Sequence, residues 1–169
     1  MGKGGLGTHH PTHSVVLKQA DKQEESSLPS FTSQVPNLHA MGPVVQMGIA
    51  VGSAVEQALQ SAGQPVPQPQ NVLAMIDTGA TGSVIQNGLA AQLGLNPVGI
   101  VQISTPSSAN VSCLEYAVRL LFPNNVAFET TVIETPLQGQ QIRCLIGRDV
   151  LSQGVLVYIG YSNPFSLSF

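Results

Sequence analysis

Apolar residues recur along this chain in short runs that are separated by Gly, Pro, Asn and Ser. The clearest pattern lies at 114–122, where Leu114, Tyr116, Val118, Leu120 and Phe122 alternate with more polar neighbours. A period of two predicts a strand with one buried face. Similar short runs predict further strands at 44–51, 72–76, 83–85, 98–104, 126–134, 142–146, 155–159 and 165–169.

The helices predicted from the sequence are brief. Residues 53–62 carry a Ser-x-x-Glu capping-box pattern followed by apolar residues at helical spacing. Prolines at 65, 67 and 69 predict an extended loop over 64–71, because proline cannot continue a helix or a central strand. Short helices are also expected at 89–93 and after Gly147. Many short strands, close turns and brief helices predict an all-β barrel or sandwich.

The first 40 residues differ from the rest, since they hold all four histidines and few large apolar side chains. Such a segment buries little apolar surface, so residues 1–40 are predicted to be a flexible tail and residues 41–169 the folded domain. Leu28, Phe31 and Val35 could allow the tail to occupy a binding cleft as a strand. An inert leader is the plainer interpretation.

Composition excludes several classes of function. The net charge is −3 with six basic residues, and no basic cluster offers a phosphate-binding surface, which argues against nucleic acid as a partner. No apolar stretch is long enough to span a bilayer, and the N-terminus lacks the apolar core of a secretory signal. The two cysteines lack metal-ligand spacing; a disulfide is possible, but a buried reduced pair in a cytoplasmic protein is favoured.

Two segments carry the candidate chemistry. In residues 74–81, AMIDTGAT, Asp77 ends an apolar run just before a Thr-Gly turn, and residues 144–151 read CLIGRDVL. Asp, Thr and Gly also form ordinary turns, so the triplet by itself is weak evidence for a catalytic site. The first segment also looks like a phosphate loop of sugar kinases and actin-like ATPases, but those proteins need two α/β domains and a longer chain.

Together and in this order, the two segments resemble those of the retropepsins, the half-sized aspartic peptidases. The resemblance implies an all-β closed barrel or sandwich that corresponds to half of a pepsin-type bilobed enzyme. It implies that Asp77 is catalytic and that Thr78, Gly79 and Ala80 support its loop. Because the chain has one such motif, the second Asp77 would come from a homodimer partner, and the two carboxylates, about 3 Å apart, would share one proton. Water is the nucleophile, so the resemblance implies no metal and no organic cofactor, and an extended peptide or protein is the substrate.

The same resemblance assigns roles to three other segments. The turn that would form the substrate-binding flap consists of Thr105, Pro106, Ser107, Ser108, Ala109 and Asn110. The psi-shaped crossing behind the catalytic loop and the following helix correspond to Leu145, Ile146, Gly147 and Arg148. The strand expected to interleave with the partner subunit consists of Phe165, Ser166, Leu167, Ser168 and Phe169. A plain surface hairpin and a strand that completes its own barrel are the alternatives for the first and the last of these segments.

The chain departs from the viral pattern at Thr81 and Gly82, where viral retropepsins carry acidic residues that bind substrate backbone and pair with arginine. Arg148 therefore lacks that partner, and Asp149, Glu115 and Glu134 are candidate replacements. The flap is also poor in glycine. Both departures favour an alternative function, a dimerisation or peptide-binding module with little or no turnover.

Overall fold

The computed structural model describes residues 1, 29–105, 108–137 and 141–169. In this part of the chain the strands are β1 (Ser30–Gln34), β2 (Val44–Val51), β3 (Gln70–Ile76), β4 (Val84–Gln86), β5 (Gly99–Thr105), β6 (Ser108–Leu121), β7 (Ala127–Thr135), β8 (Cys144–Ile146), β9 (Val155–Tyr158) and β10 (Pro164–Ser168). The helices are α1 (Leu38–Met41), α2 (Ser53–Ser61), α3 (Leu89–Gln92) and α4 (Arg148–Leu151). The predicted all-β class is confirmed. No helix in these ranges is long and apolar enough to cross a membrane.

The larger sheet closes on itself. Its seven strands run in the order β2-β3-β8-β4-β7-β6-β5, and β2 also pairs with β6. The long strand β6 makes this possible, because one of its edges pairs with β5 through residues 108–115 and with β2 through residues 118–121. The result is a small closed barrel with the β5–β6 hairpin extending from it. Closure leaves few free strand edges, which is how small β-barrels avoid unwanted pairing.

The alternating pattern of the sequence accounts for the barrel strands. In β6 the side chains of Tyr116, Val118 and Leu120 are buried, as the period of two predicts. The strand β2 has the predicted bounds, and α2 begins at the predicted residue. The capping box, however, is wrong. Gly52 is the N-cap of α2, and the Ser53 hydroxyl donates to Glu129 on β7 instead.

A second, three-stranded sheet has the order β1-β10-β9. Its strand β1 contradicts the flexible tail predicted through residue 40, because residues 30–34 pair along their whole length with β10. Phe31 and Val35 are buried in the core, and Leu38 on α1 is buried beside them. Phe31 stacks on Phe122 with 5.3 Å between ring centroids. The two apolar side chains that could have let the tail enter a cleft are thus core residues; Leu28 lies outside the described residues.

The C-terminal strand also differs from its predicted role. Residues 165–168 pair with β1 on one side and with β9 on the other, both in the same chain. Phe165 and Leu167 are fully buried, and the ring of Phe169 lies 5.2 Å from that of Phe128. Neither edge of β10 is available to a partner in this structure. In this structure the strand completes the sheet of its own chain, which is the alternative given for it above, and the interleaving of Phe165, Ser166, Leu167, Ser168 and Phe169 with a second subunit stays a prediction.

Candidate active site

Asp77 lies directly after β3, in a loop that its own hydrogen bonds hold in place. The Asp77 backbone N–H donates to the Ile146 carbonyl (2.9 Å), and the Ala80 N–H donates to the Asp77 carbonyl (3.2 Å). The Gly79 N–H donates to the Asp77 carboxylate at Oδ1 (2.9 Å). Asp77 is half-buried, whereas Thr78 and Gly79 are exposed. The carboxylate is therefore oriented by the loop and still accessible from solvent, as a residue that activates water must be.

The Asp77 loop connects two strands that are not neighbours. β3 precedes the loop and β4 follows it, and β8 lies between them, parallel to β3 and antiparallel to β4. The strand that contains Leu145 and Ile146 thus passes behind the Asp77 loop, and the loop must cross over its end. This arrangement fixes the position of Asp77 at the end of β3.

The crossing depends on a close backbone approach between two glycines. A Cβ atom at Gly147 would lie 2.6 Å from the carbonyl carbon and oxygen of Gly82. No side chain can occupy that space, because contacts this short require the backbone itself to move. Gly147 is therefore required by packing, since the end of β8 lies against the segment that follows Asp77.

A buried hydroxyl ties the crossing together. Ser83 is 1% exposed, and its Oγ accepts a hydrogen bond from the Gly147 N–H (3.0 Å) and donates to Asp149 Oδ1 (2.9 Å). The Asp149 N–H donates in turn to the Thr81 carbonyl (3.2 Å). These bonds satisfy a buried polar group and join the loop after Asp77 to the start of α4.

Arg148 binds the Asp77 loop through neutral groups. Its Nη1 donates to the Thr78 carbonyl (3.0 Å) and more weakly to that of Gly79 (3.4 Å), and its Nη2 donates to Thr81 Oγ1 (3.1 Å). The three candidate carboxylates have other donors. Asp149 accepts from Ser83, Glu115 from Thr131, and Glu134 from the N–H groups of Gly88 and Ala90. Arg148 thus donates to backbone carbonyls and a threonine hydroxyl of the loop, whereas the arginine of the viral pattern pairs with an acidic residue.

The predicted flap lies in the β5–β6 hairpin. Thr105 pairs with Ser108 across the hairpin, and Ala109 and Asn110 continue β6. Pro106 and Ser107 lie outside the described residues. Ile100 and Leu114 face each other across the two strands and are 71% and 41% exposed. The hairpin thus exposes an apolar pair on one of its faces.

A groove of about 280 Å³ lies beside β3. Its apolar lining includes Val44, Leu73, Met75 and Ile142. Residues 72, 74 and 76 are buried, and Leu73, Met75 and Asp77 lie at the alternate positions. Their three side chains therefore share one face of the strand. The groove is therefore on the face of β3 to which the candidate catalytic carboxylate belongs.

Other candidate chemistry is limited in the described residues. No group of three or more His, Cys, Asp and Glu side chains there could hold a metal ion. Cys113 and Cys144 are both free and buried. Burial, with a smaller contribution from the charge of Asp149, raises the pKa of Cys144 to about 12. A thiol with so high a pKa stays protonated and is a poor nucleophile.

Sequence reasoning did not identify Ser83 and Gly82 as parts of the site. Ser83 appeared as the first residue of a strand, and its two hydrogen bonds join residues more than sixty positions away. Gly82 was noted for the acidic residue it replaces and not for its contact with Gly147. The feature of the sequence that could have indicated their role is the small size of both residues, which follow Asp-Thr-Gly-Ala-Thr.

With this geometry in place, the comparisons with known proteins identify the family. The family model described as Aspartyl protease matches residues 63–150, which is slightly more than half of the chain and includes both Asp77 and Arg148. The chain therefore belongs to the aspartyl protease family. No curated protein matches the sequence.

Several solved structures are similar in fold. A retropepsin-like aspartic protease from Rickettsia conorii is 9% identical, with 83% of this chain and 94% of that chain covered and a TM-score of 0.45. The EIAV protease in complex with the inhibitor HBY-793 is 19% identical, with 66% and 86% covered and a TM-score of 0.40. The retroviral protease-like domain of Ddi1 from Leishmania major is 14% identical, with 68% and 79% covered and a TM-score of 0.34. At these TM-scores the likenesses add nothing to the family match.

Proposed function

We propose that this protein is an aspartic endopeptidase in which Asp77 and the Asp77 of a second copy activate water against a peptide bond. The observation that carries the proposal is the position of Asp77, which is half-buried, oriented by the Gly79 N–H and fixed to the end of β8. The family match supports the same chemistry. The sequence contains one Asp-Thr-Gly triplet, which supports a second copy of the chain as the source of the other carboxylate.

Two carboxylates that share one proton can act as base and acid in a single step. The ionised Asp77 takes a proton from water while the resulting hydroxide attacks the peptide carbonyl carbon, and the protonated Asp77 gives its proton to the carbonyl oxygen. The tetrahedral intermediate then collapses: the C–N bond breaks, the nitrogen leaves with the proton held by one Asp77, and a hydroxyl of the intermediate gives its proton to the other Asp77 as the new C=O bond forms. Because the reaction needs one shared proton, the rate should fall at both low and high pH.

The proposed substrate is a peptide in extended conformation. The β5–β6 hairpin would cover it as a flap and exclude water, and its exposed pair Ile100 and Leu114 supports such a contact. The groove that contains Leu73 and Met75 would take an apolar substrate side chain near the scissile bond, since none of the described residues that line it is charged. We therefore expect cleavage beside large apolar residues.

The test is cleavage of a peptide library by the purified protein and by the Asp77→Asn variant. The substitution keeps the shape of the side chain and removes the shared proton, so we expect cleavage to be lost while the melting temperature is kept. Glu129→Gln is the matched control, because it makes the same carboxylate-to-amide change on β7, where Glu129 contacts α2. Equal cleavage by the wild-type and Asp77→Asn proteins would contradict the assignment.

The same experiment separates the peptidase from the alternative function. Saturable binding of extended peptides without cleavage would identify a peptide-binding or dimerisation module. We also propose a cytoplasmic location, which the two buried free thiols support because thiols stay reduced there.

A further inference from the structure

We propose that Arg143 makes this protein selective for peptides that carry an acidic side chain, Asp or Glu, within about four residues of the cleaved bond. This inference rests on the proposed function and deepens it, because it names the substrate class of the same site. Three observations carry it: the position of Arg143 beside β3, its lack of a carboxylate partner, and the charges around it.

Arg143 lies in the sheet beside the strand that leads to Asp77. Its backbone N–H donates to the Leu73 carbonyl on β3 (2.9 Å), and its carbonyl accepts from the Gln86 N–H on β4 (2.9 Å). Leu73 lies four residues before Asp77. A strand advances about 3.3 Å per residue, so the backbone positions of Leu73 and Asp77 are about 13 Å apart. An extended peptide advances at the same rate, so side chains up to about four residues from the cleaved bond can reach Arg143.

The side chain of Arg143 belongs to the same face of the sheet as Asp77. Arg143 and Leu145 are half-buried, whereas Cys144 between them is fully buried, as expected when side chains alternate between two faces. Leu145 pairs with Met75, which shares a face of β3 with Asp77. The opposite face is the apolar core, where a charged group without an ion pair would be costly. The guanidinium therefore lies on the face of the candidate catalytic carboxylate.

Arg143 has no partner for its charge among the described residues. Residues 29–169 contain three arginines and no lysine. Arg119 forms the only salt bridge within the described ranges, with Glu56, and Arg148 donates to the Asp77 loop. An arginine that is held by neither kind of contact keeps its donors for a ligand. Its planar guanidinium matches a carboxylate through two parallel hydrogen bonds.

The carboxylates of the neighbouring strands are engaged elsewhere. Glu134 on β7 pairs with Ile85, whose side chain is fully buried, and it accepts from two backbone N–H groups at the start of α3. Glu115 on β6 is three strands from β8, about 14 Å at the usual strand spacing, and accepts from a threonine of β7. Arg148 adds a second positive charge beside Asp77, because it binds neutral groups. This positive surface attracts an anionic side chain of a peptide.

The apolar groove and Arg143 lie next to each other. Gln141 and Ile142, the two residues directly before Arg143, both line the groove beside β3. One extended peptide can therefore place an apolar side chain in the groove and an acidic side chain at the guanidinium. A free C-terminal carboxylate of a peptide has the same chemistry as an acidic side chain, so the experiment has to distinguish these two sources.

The first test compares cleavage of matched peptides by the full chain. The peptides are blocked at both ends, have large apolar residues at the cleaved bond, and carry Glu, Gln or Lys at one nearby position. We expect kcat/KM to be about 3- to 10-fold higher with Glu than with Gln, and the difference to shrink at high salt. Arg143→Gln should abolish the difference, and Arg143→Glu should reverse it in favour of Lys. Arg119→Gln is the matched control and should keep the wild-type ratio, because Arg119 contacts α2.

A binding measurement tests the same inference without turnover. In the Asp77→Asn protein, the Glu peptide should bind about 3- to 10-fold more tightly than the Gln peptide, as measured by fluorescence anisotropy. Adding Arg143→Gln to that protein should make the two affinities equal. A second set of peptides has a free C-terminal carboxylate. A dependence on Arg143 that is confined to this set would overturn the selectivity for acidic side chains.

The outcomes separate this inference from the proposed function. If the Glu and Gln peptides are cleaved equally and Arg143→Gln changes nothing, the selectivity is wrong and the peptidase proposal stands. If the Glu peptide binds more tightly in a manner that depends on Arg143 but no peptide is cleaved, the selectivity stands and the peptidase proposal fails. Equal binding of both peptides without cleavage would overturn the selectivity as well.

Discussion

The barrel and the three-stranded sheet differ in how far apart their most distant paired strands lie in the sequence. In the barrel, β5, β6 and β7 follow one another and pair as neighbours, whereas β2 pairs with β6, and β3 with β8, about 70 positions away. In the smaller sheet, β9 and β10 pair as neighbours, but Phe31 pairs with Leu167, more than 130 positions away. The same kinds of residue form both sheets, so the difference is one of connection and not of composition. A mostly polar segment can thus form a core strand through a single buried side chain, here that of Phe31.

The first prediction concerns Phe31, whose substitution by alanine should have the largest effect. Phe31 is 1% exposed and contacts the rings of Phe122 and Phe165, so its loss should destabilise the protein by about 3–5 kcal/mol. Thermal or denaturant unfolding would measure this. Thr32→Ala is the control, because Thr32 lies on the exposed face of the same strand. Equal stabilities of the two variants would indicate that residues 30–34 belong to a flexible tail, as the sequence predicts. They would also contradict the pairing of β1 with β10.

The second prediction concerns the crossing in the barrel. Gly147→Ala should cost about 3 kcal/mol, because the new methyl group would lie 2.6 Å from the Gly82 backbone. It should also displace the Asp77 loop and reduce peptide cleavage. Gly82→Ala tests the other side of this contact, since its methyl group would meet only Ile133, at 3.7 Å. A neutral Gly147→Ala would show that the crossing is less closely packed than the structure indicates.

The third prediction concerns the hydroxyl of Ser83. Ser83→Ala should destabilise the protein by about 1–3 kcal/mol, because the Gly147 N–H and the Asp149 carboxylate both lose a partner in a buried place. Ser83→Thr keeps the hydroxyl and should retain more stability than alanine does if the extra methyl group fits. A higher unfolding midpoint for Ser83→Thr than for Ser83→Ala would support the hydrogen bonds. The reverse order would indicate that side-chain volume determines stability at this position.

The fourth prediction concerns the Cys144 thiol, whose effect on the free energy of unfolding is small below pH 9 and grows above it. The unfolded chain loses the Cys144 proton near pH 9, whereas burial keeps it bound in the native state to a pKa of about 12. The native state then binds more protons than the unfolded state, so the free energy of unfolding falls as pH rises, by up to about 1.4 kcal/mol per pH unit. Cys144→Ala should flatten this decrease in denaturant titrations. Part of it should remain, because burial, followed by the charge and hydrogen bond of Glu134, also raises the pKa of Tyr116.

Local patterns predict what is local. The alternation at 114–122 predicted β6, and the apolar run before Asp77 predicted β3, because each strand follows from the side chains of its own segment. The Asp77 loop was predictable for the same reason, because its motif is one continuous run of residues. The helix at 53–61 was predicted correctly, but its cap was not, since Ser53 bonds to Glu129 from a distant strand.

The remaining features depend on contacts between distant segments. Nothing in residues 30–34 indicates that β10 will pair with them, and nothing in residues 164–168 shows that both edges will be filled from the same chain. The partners of Arg148 were likewise sought among carboxylates, whereas the structure provides a backbone carbonyl and a threonine hydroxyl. Such choices depend on three-dimensional proximity, which residue type alone does not specify.

The pairing of β1 with β10 also sets an order of events during synthesis. β1 leaves the ribosome early, but its partner strand is made about 130 residues later, which takes on the order of ten seconds. During that time Phe31 lacks its neighbour Phe165, although its other aromatic neighbour, Phe122, has already been made. Pairing over so long a separation is slow in itself. The three-stranded sheet should therefore form last, after the strands of the barrel have paired.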